Sequence, residues 1–552
     1  MFKPRRKKAN QSEFWVVADR LPKATPSRFY ELLNETLAKM KFAEQVWAIC
    51  AGAYADAARG GRPGIDPVIY FKMLMIGFFE GIPSERQIAA RCADSLSLRG
   101  FLGYRLDEST PEHSSMSVIR QRLGSACFEQ VFALVLVALR EHGLLKGRHL
   151  GIDSSVIEAN ASLRSLSERN TEEGYWDYVQ RLAKEAGLET TDAAELRRFD
   201  RKRPGKKTSN QQWQNPHDPD AKIGKTKDGA TDMVYLPEHT VDLETGTIVQ
   251  AQVLPGDHRD SEDLSARVLE AVLSVQEATG AGVEAVPETL TADKGYFSLR
   301  EIELLQALTI KTVISDPHRA TRRRDKLDQA QSQALARAQR SVQSKYGKRL
   351  LRKRGQHIER SFAHVLDAGG MRRTTLRGLE NLNKRHQIAA ACYNLSQLLR
   401  RLYGIGTPKQ WTAFLRLFSA HLLHLVVTAS RTVLTRAATY WPKFSSTFLL
   451  PPAPSVKITV LQQPARTKEA FFIGCINSFG RQWLPRKSSS LVSRSGSGDT
   501  ATASNPLSVR SGNAVGFRQV IADVFRFVEE VQISHGLHLA VLRQFDHRMT
   551  HH

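Results

Sequence analysis

The stretch "LTADKGYF", Leu290–Phe297, decides the fold prediction. A short apolar run ends in Asp293, and Lys294 and Gly295 follow it at once. Such a run, bounded by turn residues, predicts a short buried strand. A similar run lies upstream in "RHLGIDSSVIEAN", where the predicted strand ends in Asp153. Two strands of this chain are therefore expected to end in an aspartate.

Further strands and helices alternate around these two runs. The segment "VYLPEHTVDLETGTIVQAQVLPGDHRD" alternates in polarity around a turn at residues 244–246, which predicts a β-hairpin. After Asp293, "LREIELLQAL" predicts an amphipathic helix and "KTVIS" a further strand. Strands mixed with helices indicate an α/β core.

The region before the first strand has helical periodicity. The run "VIYFKMLMIGFF" is apolar nearly all round and is broken at Gly81 and Pro83, and Ser84 with Gln87 has the spacing of a capping box. Two more helices are predicted, one from Ser115 and one that ends at Gly143. A helix, turn and helix on a basic protein can read DNA, but an ordinary helical bundle has the same pattern. Both interpretations stay open here.

Charge and composition favour nucleic acid as the partner. The 552 residues carry a formal net charge of +23, with a sequence pI near 9.9, which attracts polyanions. Between residues 319 and 354, thirteen Lys or Arg stand against two Asp, so this largely helical segment is predicted to contact phosphates rather than merely to be solvated. No GxxxxGK[ST] or GxGxxG loop is present, which leaves nucleotide hydrolysis without support.

The remaining composition points to a reducing compartment. The five cysteines are far apart and form no CxxC pair, so neither a zinc knuckle nor a disulfide framework is predicted. The basic start is followed by no apolar signal core, and the most apolar run is too short to cross a bilayer. We expect a cytoplasmic protein with no membrane partner.

Three acids occur in contexts that would let them share one site. Asp153 and Asp293 end predicted strands, and Glu359 is predicted to open a helix after the basic segment. If the strands are neighbours and the helix crosses their ends, mutual repulsion disfavours the cluster unless divalent cations offset it. Oxygen ligands suit Mg²⁺ or Mn²⁺, and two such ions about 3.5–4 Å apart activate a phosphodiester. An aspartate at a strand end is more often a turn or helix cap, so spacing alone does not decide.

Several ordered segments together resemble a known family. They are "GRPGIDPVIYFKMLMIGFFEGIPSERQIAARCADSLSLRGFLGY", "TPEHSSMSVIRQRL", "HLGIDSSVIEANASLRS", "NPHDPDAKIGKTKDG", "YLPEHTVDLETGTIVQAQVLPGDHRD", "LTADKGYFS" and "IERSFAHVLDAGGMRRTTLRGLENLNKRHQIAAACYNLSQLLR". This order is similar to that of bacterial insertion-sequence DDE transposases with an InsH-type N-terminal helical domain. The resemblance covers about residues 60 to 410.

The resemblance implies a fold, a site and an activity. The fold would be an RNase H-like α/β core, a mixed sheet flanked by helices, preceded by the all-α domain. Asp153, Asp293 and Glu359 would be the catalytic triad that binds Mg²⁺ or Mn²⁺, as two ions. The activity would be cleavage at transposon ends and strand transfer into target double-stranded DNA, by a homodimer or larger assembly at the bacterial nucleoid.

Basic residues in the matching segments are the expected DNA contacts: Lys294, Arg360, Arg372, Arg373 and Arg377. Some relatives have an arginine four residues before the last glutamate and a lysine seven after it, whereas this chain has Gly355 and Leu366. We therefore do not expect this chain to bind phosphate through the arginine and lysine that those relatives use. The alternatives are an RNase H-like nuclease without strand transfer and a catalytically inactive DNA-binding repressor.

Other polar residues of the matching segments are interpreted as structural. Asp218, Asp220, Asp257 and Asp260 are predicted to order loops rather than to bind metal. His149 shares a strand face with Asp153 because side chains alternate along a strand, and it too is predicted to be structural.

The predicted domain organisation has four parts. Residues 1–60 form a basic arm with a lead-in helix, and residues 61–145 form the InsH-type helical domain with a DNA-binding role. Residues 146–405 form the catalytic domain, including the basic helical segment 319–354. Residues 406–552 form a partly helical tail, in which Ser/Gly-rich composition predicts disorder over 485–515.

Overall fold

The computed structural model describes residues 27–54, 64–105, 107–203, 209–280, 286–323 and 327–440. The described residues all belong to one compact unit. Of the predicted basic arm and lead-in helix, residues 27–54 are described, whereas residues 1–26 and 55–60 and the predicted disordered segment 485–515 lie outside the described residues.

The first seven helices precede the sheet, as predicted. Their bounds are α1 Ser27–Lys39, α2 Phe42–Cys50, α3 Pro67–Glu80, α4 Glu85–Asp94, α5 Leu96–Leu102, α6 His113–Arg122 and α7 Ser125–Glu141. The side chain of Asp66 accepts a hydrogen bond from the Val68 backbone N–H at 2.8 Å and starts α3, and Gly81, at φ 71°, ends it. Among the described residues from Ser27 to Glu141, all the regular secondary structure is therefore helical.

The predicted helix–turn–helix is part of a packed bundle. Nearly every side chain of α3 is buried, and α4 buries Ile88, Ala89 and Cys92. A Cβ on Gly81 would lie 2.8 Å from the backbone oxygen of Ala368, so the turn between α3 and α4 closely approaches a later segment. The predicted capping box is wrong in one respect, because Ser84 precedes α4 but makes no side-chain cap hydrogen bond.

The rest of the described chain is mixed α/β. The strands are β1 His149–Ser154, β2 Ile157–Glu158, β3 Ser167–Glu168, β4 Trp213–Gln214, β5 Lys222–Lys225, β6 Thr231–Asp242, β7 Ile248–Pro255, β8 Thr289–Thr291 and β9 Lys311–Val313. The helices are α8 Tyr175–Glu185, α9 Ala193–Lys202, α10 Leu264–Thr279, α11 Leu299–Ala307, α12 Gln329–Gln343, α13 Lys345–Phe362, α14 Leu379–Tyr403 and α15 Pro408–Tyr440. This arrangement confirms the coarse prediction of an α/β protein with an N-terminal helical region.

The main sheet is antiparallel on one side and parallel on the other. Strands β7, β6 and β1 pair antiparallel, as the predicted hairpin requires, and β1, β8 and β9 pair parallel. Strands β2 and β5 also pair with β6. In the parallel ladder, Leu150 lies opposite Leu290 and Gly151 opposite Thr291. The sheet is therefore mixed, and its two aspartate-bearing strands are direct neighbours.

Helix α14 lies between the sheet and the helical region. It contacts α3, α7 and β7, and most of its side chains are buried. Asn394 accepts a hydrogen bond from the Ile248 N–H at 3.0 Å and donates one to the Ile248 carbonyl at 2.8 Å. Asn383 accepts from the Val253 N–H at 3.1 Å. Two asparagines of one helix thus satisfy backbone groups along β7.

One helical stretch of the described residues, Leu379–Thr428, is long and apolar enough to cross a membrane by length and composition alone. Its first part, α14, is mostly buried, whereas the stretch of 18 residues that passes the test is 0% buried. A single such helix is weak evidence for a membrane segment.

A buried histidine pair joins β6, α13 and α14. His239 and His386 are both 0% exposed, and their Nε2 atoms lie 3.0 Å apart. The Ser361 hydroxyl donates to the Ile358 carbonyl and so accepts from Nδ1–H of His239. A neutral His239 then has its lone pair on Nε2, which accepts from Nε2–H of His386. The chain of hydrogen bonds therefore requires a neutral His239, and Nδ1 of His386, which is buried without a hydrogen-bond partner among the described residues, favours a neutral His386 as well.

We predict that this pair makes stability fall in mild acid. Burial lowers the pKa of His386 to about 3 and lowers that of His239, whereas unfolded histidines titrate near 6.5. The contribution of both histidines to the free energy of unfolding is therefore fully present above about pH 6.5. It decreases as the pH falls from there toward the pKa that each ring has in the folded protein. For His386 alone the loss is about 2 kcal/mol between pH 6.5 and about pH 5.

The measurement is the free energy of unfolding by denaturant at about pH 7.5 and pH 5. We expect a smaller pH dependence for His386→Gln, whose amide has hydrogen-bonding atoms near the Nε2 position but does not titrate. His113→Gln, at an exposed position, is the control and should match the wild type. An unchanged pH dependence in His386→Gln would contradict this account.

Candidate active site

The carboxyl ends of β1 and β8 bring two of the predicted acids together. Asp153 lies near the end of β1, and Asp293 follows β8 by two residues. Because Gly151 and Thr291 are partners in the parallel ladder, the same register continued by two residues sets Asp153 beside Asp293. Neighbouring strands are about 4.8 Å apart. The prediction that these strands are adjacent is confirmed.

Asp153 lies in an environment that disfavours its charge. Its side chain is 29% exposed, and burial raises the pKa of its carboxyl to about 6. The guanidinium of Arg354 opposes this shift, and the negative charges of Asp293 and Asp260 add to it. A cation placed between these carboxylates would favour the ionised form.

Arg354 is the cation that contacts Asp153 in this structure. Its Nη1 lies 2.8 Å from Oδ2 of Asp153, and its side chain is 15% exposed. A Cβ on Gly151 would come within 3.2 Å of the Arg354 side chain, so the glycine lets α13 lie close over β1. Sequence reasoning assigned Arg354 only to the basic segment.

Glu359 lies on the same helix but not at its start. The prediction that it opens a helix is wrong, because α13 begins fourteen residues earlier, at Lys345, and Glu359 is in its last turn. The helix crosses β9, β8, β1 and β6. His357 lies against Gly246 on one side of the helix. Glu359 is two residues further along, so its side chain points in a direction about 160° away from that of His357 around the helix axis. Its side chain is exposed on the other side.

The three predicted site residues have side chains of the chemical type that binds hard divalent cations. Asp153, Asp293 and Glu359 offer only carboxylate oxygens, the ligands that Mg²⁺ and Mn²⁺ prefer. In the part of the chain that the structure describes, however, no group of three or more His, Cys, Asp or Glu side chains converges tightly enough to hold a metal ion. The two aspartates are chemically suited to such an ion, but the structure does not bring Glu359 together with them, and Arg354 is paired to Asp153.

The predicted DNA-contacting residues fall into two groups. Lys294, Arg360 and Arg373 are exposed. Arg372 is engaged within the protein, because it donates to Asp367, to the Ser155 hydroxyl and to the Val156 carbonyl. Arg377 is exposed and donates to the Asn160 carbonyl at 3.3 Å.

The acids and the histidine interpreted as structural have identifiable partners. Asp218 accepts from the Tyr235 hydroxyl at 2.6 Å and from the Gly378 N–H at 3.1 Å, and Asp220 accepts from the Leu379 N–H at 2.9 Å. Both therefore order the start of α14. His149 is buried between the hydroxyls of Thr289 and Tyr346.

Sequence reasoning missed a buried ion pair behind the site. Glu238 and Arg267 are 1% and 5% exposed, and a guanidinium N–H donates to the carboxylate. Gln252 and the Tyr296 hydroxyl also donate to Glu238, at 2.8 and 3.0 Å. Glu238 lies opposite Ser154 in the β1–β6 ladder. Its only sequence signal was an acid at an inward position of a predicted strand.

Comparison with protein families supports the sequence resemblance. Residues 18–122 match the family described as Transposase domain (DUF772), and residues 316–399 match the family described as Transposase DDE domain. Two separate parts of the chain are therefore similar to transposase domains. The predicted resemblance to insertion-sequence DDE transposases is thereby confirmed, whereas the InsH-type assignment stays a prediction. The DDE match includes Glu359 and α13 from its first residue, but Asp153 and Asp293 lie outside it. No curated protein and no solved structure matches the chain.

We predict measurable coupling between Asp153 and Arg354. Removing either partner leaves a partly buried charge unpaired, so a double-mutant cycle with Asp153→Asn and Arg354→Gln should give an interaction free energy of roughly 1 kcal/mol. Arg352→Gln is the matched control, since Arg352 is exposed on the same helix and has no ion-pair partner among the described residues. Chemical denaturation of the four proteins measures the coupling. A value near zero would mean that the contact is not maintained in solution.

Proposed function

We propose that this protein is a metal-dependent DNA transposase that cuts the ends of its insertion sequence and joins them to target DNA. The observation that carries the proposal is the placement of Asp153 and Asp293 at neighbouring carboxyl ends of parallel strands, in a chain with two parts similar to transposase domains. A mixed sheet flanked by helices further supports an RNase H-like core.

Asp153, Asp293 and Glu359 would hold Mg²⁺ or Mn²⁺, as two ions. The ions would activate a water or a 3′-hydroxyl and stabilise the leaving oxygen of the phosphodiester. The protein supplies the rest of the arrangement. The β1–β8 pairing places two carboxylates at one sheet edge, whereas α13 carries Glu359 as an exposed side chain in its last turn. Exposed Lys294, next to Asp293, is placed to contact a phosphate of the bound strand.

The outer face of α13 would bind the DNA backbone. Lys345, Lys348, Arg349 and Arg352 are exposed there, and helical spacing puts Glu359 beside the same face. A row of cations next to the acids would offset the repulsion between DNA and a carboxylate site. The partners would be the element ends and the target duplex, held by a homodimer or larger assembly. The protein would act in the bacterial cytoplasm, at the nucleoid.

Substitution of the acids tests the chemistry. We expect Asp153→Asn, Asp293→Asn and Glu359→Gln each to lower cleavage by a factor of about 10³ or more, because each removes a charge from the metal-binding set. The assay mixes protein, Mg²⁺, target plasmid and DNA that flanks the reading frame. Asp257→Asn, at an exposed loop position, is the control and should keep full activity.

The products of that assay separate the candidate functions. Joined products identify a transposase, whereas cleaved ends without joining identify a nuclease. Binding without any product would identify a DNA-binding repressor. Retained cleavage in Asp293→Asn would remove that residue from the triad.

Neutralising the outer face of α13 tests the DNA surface. The triple substitution Lys345→Ala, Lys348→Ala and Arg352→Ala should weaken binding to any duplex and lower the slope of log affinity against log salt by up to roughly 3, about 0.9 for each lost phosphate contact. Fluorescence anisotropy at several salt concentrations measures it. Arg197, Arg198 and Arg201 are exposed on α9, and replacing them with alanine provides a control of equal charge. Equal slopes in both triple variants would locate the DNA elsewhere.

A further inference from the structure

The carboxylate of Asp153 is already engaged through both of its oxygens. Oδ1 accepts a hydrogen bond from the Ser154 backbone N–H at 3.0 Å, and Oδ2 accepts one from Nη1 of Arg354 at 2.8 Å. A divalent cation that approached this carboxylate would meet the positive charge of the guanidinium at contact distance, and like charges in a partly buried site repel each other strongly. Arg354 and a metal ion therefore cannot both bind Asp153 without mutual repulsion.

One orientation of α13 both places Arg354 on Asp153 and keeps Glu359 away. Arg354 and Glu359 are five positions apart, so their side chains leave the helix about 140° apart. Oε1 of Glu359 lies 3.8 Å from where a Cβ on Gly355 would be, so this carboxylate lies back along the surface of the helix, where it is exposed. With Arg354 turned toward β1, the described residues contain no group of three acids that could hold a metal ion. The paired Asp153 and the separated Glu359 are thus two results of the same helix orientation.

Arg354 is held by fewer hydrogen bonds than Arg267, the arginine of the buried pair behind the site. Arg267 donates to Glu238 and to two backbone carbonyl oxygens of the loop before α10. For Arg354, the acceptor among the described residues is Asp153 alone, and 15% of its side chain is exposed. A guanidinium with one acceptor and access to water can leave its partner at a lower cost than one with three buried acceptors.

We propose that Arg354 is an autoinhibitory residue, which occupies Asp153 in the metal-free protein and has to leave before a divalent cation binds there. The inference rests on the proposed function and adds a means of regulating the same site. It explains why acids of a type suited to Mg²⁺ or Mn²⁺ do not converge in the described residues. An ion pair that only stabilised the fold would make a different prediction, because losing Arg354 would then leave the affinity for metal unchanged or lower it.

The test measures Mn²⁺ binding to the full chain at neutral pH, by titration calorimetry and by the electron paramagnetic resonance of free Mn²⁺. Arg354→Gln removes the competing charge. We expect it to bind Mn²⁺ at least about fivefold more tightly than the wild type, the factor that corresponds to an interaction of roughly 1 kcal/mol. Arg352→Gln loses the same charge from an exposed position of α13 and should bind as the wild type does. The double variant Asp153→Asn/Arg354→Gln should lose the gain. If Arg354→Gln does not fold, Arg354→Met, which keeps a long side chain against Gly151, replaces it.

The outcomes separate this inference from the proposed function. A gain in Arg354→Gln that the double variant loses supports competition at Asp153, whereas an equal gain in Arg352→Gln would be a general charge effect and would overturn it. If Asp153→Asn weakens Mn²⁺ binding while Arg354→Gln binds no more tightly than the wild type, the autoinhibitory role is overturned and the proposed function stands. If no variant shows Mn²⁺ binding that depends on Asp153, with or without DNA, both are overturned.

Discussion

The parallel pairing of β1 with β8 is the constraint on which the candidate site depends. Asp153 and Asp293 are far apart in the chain, and only the register of this ladder makes them neighbours. Because side chains alternate along a strand, a slip of one residue would turn one aspartate to the opposite face. The intervening chain includes the hairpin of β6 and β7, which extends the same sheet, and helix α10, which packs against β7. The strand pairing alone therefore brings the two aspartates of the candidate site together, without a bound ligand.

Two arginines near this sheet edge each pair with an acidic residue, which lowers the repulsion between the acids when no metal is bound. Arg354 neutralises Asp153 from the helix above, and Arg267 neutralises Glu238 from the interior. Removing one partner of a buried ion pair destabilises a protein more than replacing both partners with apolar residues does. The two arginines therefore have different consequences: one contacts the expected ligand itself, and the other stabilises the segments that present it.

Local sequence patterns predicted the elements well and their long-range partners poorly. The runs ending in Asp153 and Asp293, the hairpin turn and the helices of the N-terminal region all occur where periodicity placed them. Periodicity did not reveal that the end of the basic segment and Glu359 share one helix, α13, because Gly355 interrupts an otherwise helical pattern. The pairs Glu238–Arg267 and His239–His386 also had no local signal, since each joins residues from separate elements. Such contacts follow from the tertiary fold and cannot be inferred from spacing.

The asparagines of α14 have a consequence for how copies of the protein can associate. A strand at the border of a sheet normally offers free N–H and carbonyl groups to a strand from another molecule. Here Asn383 and Asn394 already bind the backbone of β7, so that border is closed to intermolecular strand addition. A contact between two copies of the chain would then have to use a part of the surface other than this border of β7.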